Sequence, residues 1–103
     1  MQKYTKVYLK EFDYDETDFI PCECCGAKST EIHHVLARSK FKELVNDIRN
    51  LMAICRKCHE EYGDRKYLVP MLLRIHEMTM KIKGIKTNYK WFDFYRKKYN
   101  TEE

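Results

Sequence analysis

Short apolar runs alternate with polar turns over the first half of the chain, and helical spacing dominates the second half. Residues 4–14 mix β-branched and aromatic side chains with charge, and Val7, Leu9 and Phe12 predict a strand or extended arm. Pro21 and Gly26 punctuate residues 20–29, which read as a knuckle-like turn. Thr30–Leu36 predicts a short strand. Residues 37–49 read as a loop with a helical turn or two at Phe41, Leu44 and Ile48. The apolar run Leu51–Cys55 predicts a second strand, followed by a helix from about Lys57 to about Arg65. Leu68, Met71, Leu72, Ile75, Met78 and Ile82 recur at helical spacing and predict an amphipathic helix. Pro70 suits its first turn and Gly84 its end. Thr87 or Asn88 can cap a last helix, whose Trp91, Phe92, Tyr95 and Tyr99 form an aromatic stripe suited to core packing.

A length of 103 residues fits a single domain, residues 1–103. With 44% hydrophobic and 35% charged residues the chain is globular in composition rather than disordered. No run approaches the ~18 apolar residues of a membrane span. The first residues lack the apolar stretch of a signal peptide, so a soluble intracellular protein without a membrane partner is the expectation.

The net charge of +4 is unevenly spread. Glu11, Asp13, Asp15, Glu16 and Asp18 stand without a base among them. Lys81, Lys83, Lys86, Lys90, Arg96, Lys97 and Lys98 face only Asp93 within residues 81–98. Such a basic end suits a polyanion, or else a solvated helix face.

Five cysteines in so short a chain change the picture further. Cys22 and Cys25 form one C-x2-C pair, and Cys55 and Cys58 a second. Two residues between thiolates let one turn deliver both sulfurs to one ion, and two such turns complete a tetrahedral shell around Zn²⁺. A closed four-sulfur site is structural, and it compensates for a small core. Cys24 falls outside this spacing and is expected to be free. The 29 residues between Cys25 and Cys55 leave room for an inserted substructure. His33 and His34 lie within it, Asn50 stands just before the second strand, and His59 directly follows the last cysteine.

The order C-x2-C-Gly, His-His, Asn-Leu and C-x2-C-His resembles the HNH endonucleases of the ββα-metal class. The residues that carry it are Cys22–Gly26, Ile32-His33-His34-Val35, Asn50-Leu51 and Cys55-Arg56-Lys57-Cys58-His59. They span residues 22–59, roughly a third of the chain. Ala37-Arg38-Ser39 is similar to the Pro-Arg-Ser-like stretch that often follows the paired histidines, with Ala37 in place of the proline.

The resemblance implies an α+β fold. Residues 20–65 would form a zinc-stapled ββα-metal core, and residues 66–100 a helical, basic C-terminal extension. It implies that His34 is the general base and that Asn50 braces the loop carrying it. His33 and His59 would hold a catalytic divalent cation such as Mg²⁺, Mn²⁺ or Ni²⁺. Cys22, Cys25, Cys55 and Cys58 would hold the structural Zn²⁺. The implied substrate is DNA, expected to be double-stranded, cut to leave a 5′-phosphate and a 3′-hydroxyl. Arg38, Lys90, Arg96, Lys97 and Lys98 are the expected phosphate contacts, with a protein partner for targeting if specificity is low. A cytoplasmic setting in a bacterial or phage-infected cell goes with such a protein.

The residue chemistry agrees with these roles. Phosphodiester hydrolysis needs a base near neutral pKa, which histidine supplies, and positive charge on the developing phosphorane. Neighbours in a regular strand point to opposite faces, so His33 and His34 share a site only if the strand ends or twists there. Many family members carry a further histidine or asparagine where this chain has Gly63, leaving two protein ligands unless Asp64 contributes. The alternative function is a non-catalytic zinc-binding module that binds nucleic acid or protein.

Overall fold

The computed structural model describes residues 1–100. The elements are α1 (Lys3–Glu11), β1 (Glu31–His34), β2 (Leu51–Ile54), α2 (Arg56–Tyr62), α3 (Val69–Ile82) and α4 (Tyr89–Asn100), with short 3-10 turns at Lys42–Leu44, Ile48–Asn50 and Lys66–Leu68. No helix among the described residues is long and apolar enough to cross a membrane.

β1 and β2 pair antiparallel, with His33 opposite Met52 and His34 opposite Leu51. A two-stranded sheet is marginal by itself, and here every residue of β2 is buried beneath the surrounding helices. The ββα order of β1, β2 and α2, with further helices after it, is the expected α+β architecture.

Residues 4–14 overturn the expected strand or extended arm, since they form the helix α1 and its C-terminal turn. Tyr8 and Phe12 are four apart, fall on one helix face, and stack at 4.2 Å while almost wholly buried. Burying that face against the sheet outweighs the local preference of β-branched and aromatic residues for strands. The distal helices keep to their local signals. Pro70 lies in the first turn of α3. Gly84 ends it at φ +76°, where Gly84 N–H donates to Lys81 O and Ile85 N–H to Met80 O, a Schellman closure. Asn88 caps α4 by accepting the Trp91 N–H.

Two buried polar contacts fix the helices to the core. Glu23, between the first two cysteines, accepts hydrogen bonds from Tyr8 OH at 2.7 Å and from Ala53 N–H at 3.1 Å. Its other oxygen lies 2.8 Å from His76 Nδ1, and His76 Nε2–H donates to Ile48 O at 2.6 Å. One carboxylate thus ties the knuckle to α1, β2 and α3. The second contact is Arg96 with Glu77, 2.7 Å apart and joining α4 to α3. This corrects the expectation that Arg96 faces a phosphate. Phe92, Arg96 and Tyr99 follow the i, i+4, i+7 spacing of one helix face, and all three are buried.

Candidate active site

The two cysteine pairs converge. The sulfurs of Cys22, Cys25, Cys55 and Cys58 all lie within 4.8 Å of one another, and Cys25 and Cys55 Sγ are 3.7 Å apart. Zn–S bonds of about 2.3 Å at tetrahedral angles require S···S edges of roughly 3.8 Å, so the donor set fits Zn²⁺. The knuckle closes through Gly26 N–H to Cys22 O at 2.8 Å, with Gly26 at φ +82°. On the other side Cys58 N–H donates to Cys55 Sγ. Cys24 stands outside the cluster, and burial, reinforced by nearby Cys22, pushes its thiol up to about 12.

The second cluster joins β1, α2 and the turn after it. Donor atoms of His33, His59 and Asp64 lie within 4.8 Å of one another. The rings of His33 and His59 sit 4.8 Å apart, and His59 Nε2 is 3.6 Å from Asp64 Oδ2. His33 is buried, its Nε2 has no hydrogen-bond partner, and burial, with His59 beside it, lowers its pKa to about 4. A neutral imidazole with an unused buried nitrogen has the chemistry of a cation ligand.

Gly63 packs directly against His59. A Cβ there would stand 2.5 Å from His59 Cδ2 and 2.6 Å from His59 O. The His59 ring occupies that space, and Asp64, at φ +59°, brings its carboxylate to the ring instead.

Glu31 is a residue that the spacing of cysteines and histidines did not reveal. It sits two before His33, on the same face of β1. Its buried Oε1 lies 3.4 Å from His59 Nδ1 and 3.8 Å from Arg56 Nε, and no hydrogen bond reaches it. A carboxylate behind a ligating imidazole orients the ring and raises its basicity. A glutamate at i−2 from the paired histidines was the available signal.

His34 is the last residue of β1, and the chain bends immediately after it. Both His33 and His34 therefore line one cleft of about 610 Å³, along with Tyr4, Arg38, His59 and Asp64. His34 Nε2–H donates to Val45 O at 2.9 Å, because a carbonyl can only accept. Nδ1 is left as the ring's acceptor. The Tyr4 ring packs edge-on against His34 at 4.5 Å and lies 5.5 Å from the Arg38 guanidinium carbon. Burial lowers the His34 pKa; the Val45 bond opposes this and Arg38 adds to it.

Asn50 is fully buried. It accepts the Leu36 N–H at 2.6 Å and donates to Leu36 O and Leu44 O, both at 3.2 Å. Of the C-terminal cations, Lys90, Lys97 and Lys98 are exposed, and Lys97 pairs with Asp93 at 3.0 Å. Of the expected phosphate contacts, only Arg38 lines the cleft.

A family model described as HNH endonuclease matches residues 22–65. Residues 22–65 are thus similar to an HNH endonuclease domain. Comparisons with curated proteins and with solved structures gave no match. The HNH segment contains both clusters, His34, Asn50 and Glu31, whereas α1, α3 and α4 lie outside it. Helix α1 nevertheless contributes Tyr4 and Thr5 to the HNH cleft.

Proposed function

We propose that this protein is a divalent-cation-dependent DNA endonuclease built on a structural Zn²⁺ held by Cys22, Cys25, Cys55 and Cys58. The observation that carries the reading is the single cleft lined by His33, His34, His59 and Asp64. A divalent cation at His33, His59 and Asp64 would supply positive charge to the phosphorane and the leaving oxygen. His34 Nδ1 takes the proton of the water that attacks phosphorus, and the 3′ oxygen leaves as the P–O bond breaks. The Val45 carbonyl fixes the tautomer that makes this transfer available. Asn50 holds the turn behind the base, Glu31 backs His59, and Arg38 meets a phosphate oxygen at the cleft.

The alternative, a zinc-binding module without catalysis, drew its support from Gly63. Asp64, 3.6 Å from His59, supplies a donor beside that gap and weakens the alternative. The deciding experiment is nicking of supercoiled plasmid by the zinc-loaded protein with added Mg²⁺, Mn²⁺ or Ni²⁺, against a chelated control. Cation-dependent nicking supports the endonuclease, and intact plasmid under all three cations rejects it.

A further inference from the structure

A second cavity, of about 220 Å³, opens beside the first and shares Ala37 and Asp64 with it. Val35, Val69 and Tyr99 are buried and give it an apolar floor. Lys40, Arg65 and Lys66 line it and are exposed, so three cations stand against the single carboxylate of Asp64. Arg65 is held in place by donating to Glu61 O at 2.9 Å and to Glu60 O at 3.0 Å, which fixes its charge at the end of α2. Lys66, Val69 and Tyr99 lie outside the HNH segment, so the cavity forms where that segment meets the C-terminal helices.

An apolar floor beside a cationic margin matches the two halves of a nucleotide unit, a sugar or base face and an anionic phosphodiester. Continuity with the cleft places such a unit next to the bond to be cut. We infer that this cavity is a nucleotide subsite, in which Lys40 and Lys66 hold the backbone phosphate flanking the scissile one. The inference rests on the endonuclease reading and deepens it. It also gives the C-terminal extension a role through Tyr99 and Val69 that does not depend on the lysine-rich surface of α4.

The test uses the full chain, loaded with zinc and without added divalent cation. Binding of a fluorescein-labelled duplex of about two helical turns is followed by anisotropy across a salt series. Lys40→Ala/Lys66→Ala is compared with wild type and with Lys81→Ala/Lys86→Ala. Lys81 lies about 18 Å along α3 from Val69, at 1.5 Å per residue. The expected result is a log–log salt slope shallower by about 0.9 for the Lys40/Lys66 pair, because the two lysines share one phosphate and their loss leaves one phosphate charge unneutralised. The Lys81/Lys86 pair keeps the wild-type slope. In plasmid nicking the Lys40/Lys66 variant shows a KM raised several-fold with kcat retained at saturating DNA.

An unchanged slope for Lys40→Ala/Lys66→Ala overturns the subsite, as does a change confined to Lys81→Ala/Lys86→Ala. Failure of wild type to nick under any cation rejects the endonuclease instead. The salt slope, which needs no cleavage, then still decides whether the cavity binds phosphate. Unchanged zinc content and circular dichroism in both variants tie any shift to the removed charges.

Discussion

The side-chain amide of Asn50 grips the backbone of Leu36 from both sides, accepting its N–H and donating to its carbonyl. Leu36 is two residues beyond His34, so this contact sets the bend that brings His34 into the cleft beside His33. Asn50→Ala leaves the buried Leu36 N–H without an acceptor, at about 1–3 kcal/mol. The expected outcome is a melting temperature lower by roughly 5–20 °C and a fall in kcat. Calorimetry and plasmid nicking on the same preparation check both.

A Zn²⁺ held by the four-sulfur cluster would carry folding energy, because metal binding to an unformed site is coupled to folding. Purified, unchelated protein is expected to hold one zinc per chain. Cys55→Ser should lose it together with most of its helical signal, whereas Cys24→Ser should keep both. Elemental analysis and circular dichroism give the readout, and a zinc-free native protein would refute the assignment.

His34→Ala is expected to lower the cleavage rate by about 10²–10⁴-fold, the usual contribution of a general base, with DNA affinity near wild type. The base must be neutral to accept a proton. Burial lowers its pKa, so the acid limb of kcat should have its midpoint below the ordinary 6.5 and level off above it. A pH–rate profile that keeps climbing through pH 8 contradicts the role.

Gly63→Ala tests the seat of His59. The added methyl has no space beside the ring and carbonyl of His59, so the ring must move from Asp64 and Glu31. Affinity for Mn²⁺ is expected to fall on the order of tenfold or more, as when the groups that orient a metal ligand are removed, while zinc content stays at one. Titration followed by electron paramagnetic resonance measures the first, and elemental analysis the second.

Arg96→Ala strands Glu77, one of whose oxygens is already buried without a partner. Breaking such a pair from one side costs about 3–5 kcal/mol. Urea melts should show this destabilisation, and Arg96→Met/Glu77→Leu should recover much of it. The salt slope of DNA binding is expected to stay unchanged in the double variant. A slope lowered by about 0.9 would instead return Arg96 to the phosphate-binding residues.

Turn chemistry and short-range periodicity determined much of this protein from sequence alone. C-x2-C pairs can form only a few knuckle geometries, and the apolar runs before and after them leave little choice but two short strands. Pro70, Gly84 and Asn88 act within one helical turn, so the limits of α3 and α4 follow from neighbouring residues. Tertiary packing decided the rest. Residues 4–14 became a helix because the sheet offered a surface for Tyr8 and Phe12. Arg96 turned inward because α3 presents Glu77 to it. Glu31 and Asp64 reached His59 from either side only once β1 and the turn after α2 had been brought together. Glu23 and His76 meet across 53 residues of chain. A pairing at that separation leaves no local period or turn signature, because its partner is chosen by how whole elements pack.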